Sequence, residues 1–291
     1  MKFVYATDCH GNMKSYSETM QEAKKLSVKN IIFGGDVSPR QMALVLNKEL
    51  MIILPYGVVV PYTEKIEKDS SFIIVHVKER SVDIEKLFME HYSKFKSYQA
   101  AWLSSVLIEE IKKFKKTYDC TVSIFGGNND PKKLVHIFDE AENDGIIKHL
   151  HCKSFEAENV VIVGYPFISP TPFRFEYWEK PEKEIYAELK TLAKKIDIKK
   201  TLLFTHVPPK NTPLDMISSG RHVGSAALRR FIEVQQPLAV LSGHLHESPR
   251  VSGKWQYKIG KSVCINHGAS EDKTNILFGD TEKMEFKILK K

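Results

Sequence analysis

Phe3-Val4-Tyr5-Ala6-Thr7-Asp8-Cys9-His10 is a short apolar run that stops at an acid and an imidazole. The same punctuation recurs along the chain. Residues 30–35 stop at Asp36, residues 121–127 at Asn128 and residues 201–205 at His206, while residues 238–243 stop at His244 and His246. Short runs rich in β-branched and aromatic residues, bounded by glycine, read as buried strands. Helical patterns separate several of them, over residues 15–26, 99–117, 181–195 and 225–234. Strands alternating with helices imply a largely parallel sheet, and in such sheets ligands gather beyond the carboxyl ends of the strands. Five strands that each end in Asp, His or Asn would deliver those groups to one edge.

The remainder reads differently. Residues 146–164 hold two strand-like runs. After Trp255, runs at 262–265, 274–278 and 284–289 follow one another without helices and read as a second, mixed sheet. Residues 40–97 hold two apolar runs (51–62 and 72–77) and a helical stretch near 84–95. They read as an insertion lying over or beside the sheet edge of a single domain of the α/β class. Between Asp36 and Asn128 the chain is far longer than one strand–helix crossover needs, so substrate selectivity is expected to reside there.

Composition bounds the function. The 291 residues are 27% charged and 42% hydrophobic, which is globular and not disordered. The four cysteines form no Cys-x-x-Cys pair, against a zinc knuckle, a redox motif or a disulfide framework. Reduced thiols fit a cytoplasmic protein. The longest apolar stretch, 51–62, is interrupted by Pro55, Gly57 and Pro61 and falls short of the ~20 residues that cross a membrane. The net charge of +7 suits anionic ligands. Residues 180–230 carry 11 Lys or Arg against 5 Asp or Glu, which puts an excess next to the loop from His206 to His222. No recognition motif accompanies the charge, so nucleic acid is not the expected partner. A small phosphorylated molecule is; no protein partner can be named.

Asp8 and His10 lie two apart, as do His244 and His246, so in extended chain each pair points to one side. The collected set is Asp8, His10, Asp36, Asn128, His206, His244 and His246. Oxygen and imidazole donors without thiolate suit Mn²⁺, Fe or Zn²⁺. Seven donors are too many for one tetrahedral ion and suit two divalent ions, Mn²⁺ first, sharing a carboxylate. Two such ions clamp a phosphoryl group and activate water.

The blocks Asp8-Cys9-His10-Gly11, Gly35-Asp36, Gly127-Asn128-Asn129-Asp130, His206 and Gly243-His244-Leu245-His246 resemble those of the calcineurin-like metallophosphoesterases. The segment from Thr205-His206-Val207-Pro208-Pro209 through Leu214-Asp215 to His222-Val223-Gly224-Ser225 resembles a prokaryotic and archaeal subgroup. The resemblance implies a four-layer αββα sandwich and hydrolysis of a phosphate ester by a hydroxide bridging two metals. It implies Asp8, His10 and His246 on one metal, Asn128, His206 and His244 on the other, and Asp36 between them.

One departure bears on mechanism. The family commonly has His after the metal-binding Asn, and here that residue is Asn129, which is no general acid at neutral pH. The expected activity is therefore phosphodiesterase on a small molecule, with phosphomonoesterase on nucleotides or phosphoproteins, nuclease and non-catalytic scaffold as alternatives. Asn129 and His222 are the candidate catalytic residues beyond the ligands, and Asn12, Arg40 and Arg221 the candidate substrate contacts. Asp130, before Pro131, and Ser225 read as helix N-caps.

Overall fold

The structure, a computed structural model, describes residues 1–46, 48–54, 58–69, 71–77, 83–173, 177–269 and 275–290. In chain order the strands are β1 (Lys2–Thr7), β2 (Asn30–Gly34), β3 (Gln41–Leu46), β4 (Leu50–Leu54), β5 (Val58–Pro61), β6 (Phe72–Val77), β7 (Thr121–Ile124), β8 (Lys148–His149), β9 (Ser154–Ala157), β10 (Val160–Tyr165), β11 (Thr201–Thr205), β12 (Ala239–Ser242), β13 (Gln256–Ile259), β14 (Ser262–Asn266), β15 (Ile276–Asp280) and β16 (Glu285–Lys290). The helices are α1 (Met13–Lys25), α2 (Glu64–Glu67), α3 (Ile84–Trp102), α4 (Glu109–Lys115), α5 (Leu134–Asn143), α6 (Glu182–Ala193), α7 (Ala226–Gln235) and α8 (Ser248–Ser252).

The alternation of side chains along each strand sets the layers. Phe3 and Tyr5 of β1 share a core with Leu202 and Phe204 of β11, Leu241 of β12 and Ile265 of β14. Ring centroids lie 5.9 Å apart for Phe3–Phe204 and 5.1 Å apart for Tyr5–Phe204, both edge-on, a geometry worth ~0.5–1.5 kcal/mol beyond area burial. The intervening Val4 and Ala6 belong to the helix-side core with Tyr16, Met20 and Ala23 of α1. Two sheets thus stack face to face with helices outside them, the αββα arrangement. One sheet has the order β16-β15-β1-β2-β7-β8 and the other β13-β14-β12-β11-β10-β9.

The five signal strands therefore do not lie in one sheet. β1, β2 and β7 run parallel in the first, and β11 and β12 run parallel in the second. Strands covered on both faces read as continuous apolar runs whichever neighbour they pair with, so composition does not assign them to a sheet. The late strands do not form a sheet of their own either. β13 and β14 extend the second sheet, while β15 and β16 extend the first by antiparallel pairing on β1. Thr274, the expected start of β15, lies outside the described residues.

Residues 41–77 build a third sheet, order β5-β4-β3-β6. Met42, Leu44 and Leu54 pack with Leu87 and Phe95 of α3. Ala43, Val45 and Ile53 pack on the other face with Ile66 of α2 and with Phe72. The expected helices near 84–95 and 99–117 are one continuous helical body, because six π-helical residues (Leu103–Ile108) join α3 to α4. Lys194, Lys195 and Lys200 precede β11, so part of the basic excess of residues 180–230 sits at the strand end opposite His206. Among the described residues no helix is long and apolar enough to cross a membrane.

Candidate metal centre

The carboxyl ends of β1, β2, β7, β11 and β12 meet at one edge shared by both sheets. Asp8 and His10 do not continue β1 in extended form. Their φ angles are 53° and 46°, and His244 has φ 63°. Left-handed backbone at a non-glycine residue costs roughly 1–2 kcal/mol and clusters at functional sites. The pairs therefore converge through tight turns and not through strand alternation. Neighbouring backbone fixes these turns. Asp8 N donates to Gly34 O (3.0 Å), His10 N to Asp36 O (3.0 Å) and Gly243 N to His206 O (3.0 Å). Two glycines permit the close approach. A Cβ at Gly127 would stand 2.4 Å from Asp36 Oδ1, and one at Gly243 would stand 2.1 Å from Asp8 Oδ2.

Donor atoms of Asp8, His10 and His246 lie within 4.8 Å of one another, and so do those of Asp8, Asp36 and His206. His10 Nε2 and His246 Nε2 are 3.3 Å apart. His246 Nε2 is 3.5 Å from Asp8 Oδ1, His206 Nε2 3.4 Å from Asp36 Oδ1, and His10 Nε2 3.8 Å from Asp36 Oδ2. His206 Nε2 and Asn128 Oδ1 are 2.8 Å apart. The His244 ring lies 4.8 Å from that of His206, and its backbone N–H donates to Asp8 Oδ2 (3.0 Å). All seven predicted donors thus gather at one place. His244 and His246 are half-buried and the other five buried.

The electrostatics favour ligand-competent protonation states at Asp8, Asp36, His10 and His244, and oppose one at His246. Burial alone would raise the Asp8 carboxyl, but the hydrogen bond and charge of His246, then His206 and His10, hold it well below the usual carboxylate range. Asp36 is likewise lowered, with His206, His10 and the Asn129 N–H outweighing burial and the repulsion of Asp8. Burial pushes His10 down to about 4, and burial with His206 pushes His244 down to about 3. His246 is raised, because the Asp8 hydrogen bond and charge overcome its burial. Ionised carboxylates and neutral imidazoles are what a divalent ion requires. The residues fit such ions on a second count. Asp8 Oδ1, His10 Nδ1 and His206 Nδ1 are buried with no hydrogen-bond partner, which is rare for buried polar atoms.

The structure assigns the other candidates as follows. Asn129 does not face outward. Its Nδ2 donates to Asp36 Oδ2 (2.5 Å) and its N to Asp36 Oδ1 (2.8 Å), so it holds the central carboxylate. Asp130 is not an N-cap, since α5 begins at Leu134. Its carboxylate accepts from Val37 N, Ser38 N, Ser38 Oγ and Gly127 N and ties the β2 and β7 loops together. Burial and nearby Asp36 push it up to about 6. Asn12 caps α1, accepting from Lys14 N and Ser15 N, and with Arg40 it lines a cavity of about 400 Å³ beside Asp8, His10 and His246. Arg40 is near enough to act on both His10 and His246 through its charge. His222 Nδ1 pairs with buried Asp215 Oδ1 at 2.7 Å. Arg221 is exposed and does not line the cavity. Ser225 does cap α7, accepting from Leu228 N.

Sequence reasoning missed two residues of α3. Lys96 Nζ donates to Asn129 O (2.6 Å), and Gln99 Nε2 donates to Pro39 O (2.7 Å) and Asn129 O (3.1 Å). A buried glutamine in an otherwise apolar helical stripe was the available signal.

A model of the calcineurin-like phosphoesterase family matches residues 1–248. The chain belongs to that family and is a metal-dependent phosphoesterase, of a kind that uses a two-metal centre. One solved structure superposes on 99% of this chain and 97% of its own with a TM-score of 0.66 at 14% identity. The protein TT1561 of Thermus thermophilus superposes on 98% of this chain and 96% of its own with a TM-score of 0.58 at 13% identity. At these identities the likeness is one of fold. The comparison with curated proteins gives no significant match.

Proposed function

We propose that the chain hydrolyses a phosphate ester of a small molecule, a diester in preference to an alkyl monoester. The observation that carries this reading is the pair of buried donor groups that share Asp8, at the edge where the parallel strands of both sheets end. In it Asp8, His10 and His246 would hold one ion and Asn128, His206 and His244 the other, with Asp36 shared. Mn²⁺ suits the donor set best, with Fe and Zn²⁺ as alternatives. When bound, such ions supply Lewis acidity and ionise water near neutral pH.

The chain's own groups do the rest. Arg40 and Asn12 on the cavity wall bind phosphate oxygens, the guanidinium through two of its N–H groups. Asn129 commits its carboxamide to Asp36 and has no proton to release, which favours leaving groups that depart as stable anions. His222, paired with Asp215, is the candidate proton donor for leaving groups that need one. Residues 40–97 are a family-variable insertion within one domain. The four free thiols suit the cytoplasm.

The test is metal analysis of the purified protein with a phosphate-ester panel run in Mn²⁺. Bound transition metal and faster turnover of bis(p-nitrophenyl) phosphate than of the mono-aryl ester, both lost in Asp36→Asn, are expected. Faster turnover of the mono-aryl ester would make it a phosphomonoesterase, and salt-sensitive cleavage of a polynucleotide a nuclease. Absence of both metal and turnover would end the reading.

A further inference from the structure

Asp8, His10 and His246 form one wall of the 400 Å³ cavity. The facing wall comes from the third sheet and α2. Ile66 and Phe72 present half-buried apolar side chains there, and Thr63, Lys65 and Asp69 make its polar rim. Asp69 Oδ1 accepts from Ser71 N (2.9 Å) and Ser71 Oγ (2.7 Å), which fixes the carboxylate at the rim. The relation of the two walls is set by short links. Arg40 stands between Asp36 and the first residue of β3, and Gln99 grips both Pro39 and Asn129. A phosphate alone would leave most of this volume to water. Its volume falls in the ~300–1,000 Å³ range of cavities that accommodate organic ligands, and Ile66 and Phe72 set an apolar patch in an otherwise mostly polar lining.

We propose that this cavity binds the organic part of the substrate, and that this part is nucleoside-sized. A flat ring packs on Phe72 and Ile66, its hydroxyl or amino groups donate to Asp69, and its phosphate lies between Arg40 and the metal edge. The inference rests on the phosphoesterase reading and adds a substrate class to it.

The experiment compares the p-nitrophenyl ester of thymidine 5′-phosphate with methyl p-nitrophenyl phosphate, in Mn²⁺. In both, water adds to phosphorus, p-nitrophenolate leaves with the bonding pair, and the proton of the water passes to solvent. Stacking of a base on an aromatic side chain is worth ~1–3 kcal/mol, so kcat/KM for the thymidine ester should exceed that for the methyl ester by ~5–150-fold, expressed mainly in KM. Phe72→Ala should remove most of that preference and leave the methyl ester unchanged. Asp69 is exposed, so Asp69→Asn reports even where Phe72→Ala disturbs the small core, and it should weaken the thymidine ester selectively. Calorimetric titration of the full chain with thymidine 5′-monophosphate should show binding that Phe72→Ala weakens. Equal kcat/KM for the two esters, or variants that lower both alike, would overturn the proposal while the phosphoesterase reading stands. Phe72-dependent binding without hydrolysis of either diester would keep the cavity and sink the phosphodiesterase reading.

Discussion

Asn129→Ala removes one contact and little else. The side-chain donor to Asp36 Oδ2 at 2.5 Å is lost, while the backbone donor to Oδ1 stays. A hydrogen bond to a charged group contributes about 1.5–3 kcal/mol. At about 1.4 kcal/mol per factor of ten, affinity for divalent metal should fall ~10–150-fold. The same range, ~10–100-fold, is usual when a residue that orients a metal ligand is removed. The fold should survive, because Asp130 still binds the β2 and β7 loops through four donors. The assay is competitive titration of metal-stripped protein with Mn²⁺ against a fluorescent chelator, with thermal unfolding in EDTA as the control. Asn129→Asp should be weaker still, since it sets a carboxylate against Asp36. Wild-type Mn²⁺ affinity in the alanine variant, at unchanged Tm, would refute the role given to Asn129.

Gly127→Ala would place a Cβ 2.4 Å from Asp36 Oδ1 and 2.6 Å from His206 Nε2; overpacking of ~1–3 kcal/mol should lower Tm in EDTA and weaken Mn²⁺ binding. Glu182 accepts from Ser225 Oγ, Ala226 N and Ala227 N at the start of α7 and from Ser169 Oγ, and these bonds, outweighing burial, hold it below its ordinary 4.5. Because the folded value is depressed, its stabilisation is present above pH 4.5 and is lost as pH falls through the folded value. Glu182→Gln should therefore melt lower by ~1–3 kcal/mol near neutral pH, with the gap closing below pH 4.5 in a series of unfolding curves. His222→Ala should slow hydrolysis of an alkyl ester by ~10²–10⁴-fold and spare an aryl ester; equal alkyl rates in wild type and variant would retire His222 as a proton donor.

The cluster of seven donor side chains was legible because metal chemistry favours particular residue types and strand ends fix their places. Asp8, His10, Asp36, Asn128, His206, His244 and His246 announce themselves one after another at the close of apolar runs. Sheet membership was not legible. β1, apart from exposed Lys2, is as buried as β11, and their pairing partners, β2 and β15 for the one and β10 and β12 for the other, separate their sheets. The geometry of convergence was hidden too, because a positive φ at His10 or His244 leaves no mark on a sequence without glycine there. Asp130 before Pro131 carries the pattern of a cap, yet four donors from two loops claim its carboxylate. The turn of the Asn129 carboxamide toward Asp36 was hidden for a related reason. A missing histidine says what chemistry is absent, but not where the replacing side chain turns.

The unbroken run from α3 through the π segment to α4 has a consequence for anyone recombining this chain with a relative. Leu87 and Phe95 belong to the core of the third sheet, Lys96 and Gln99 hold the Asn129 loop, and Ile111 and Phe114 belong to the main core. A graft cut at residue 97 would sever this helical run between the third sheet and the main core. A graft that carries residues 40–117 as a block would keep the two in register, and selectivity should travel with it.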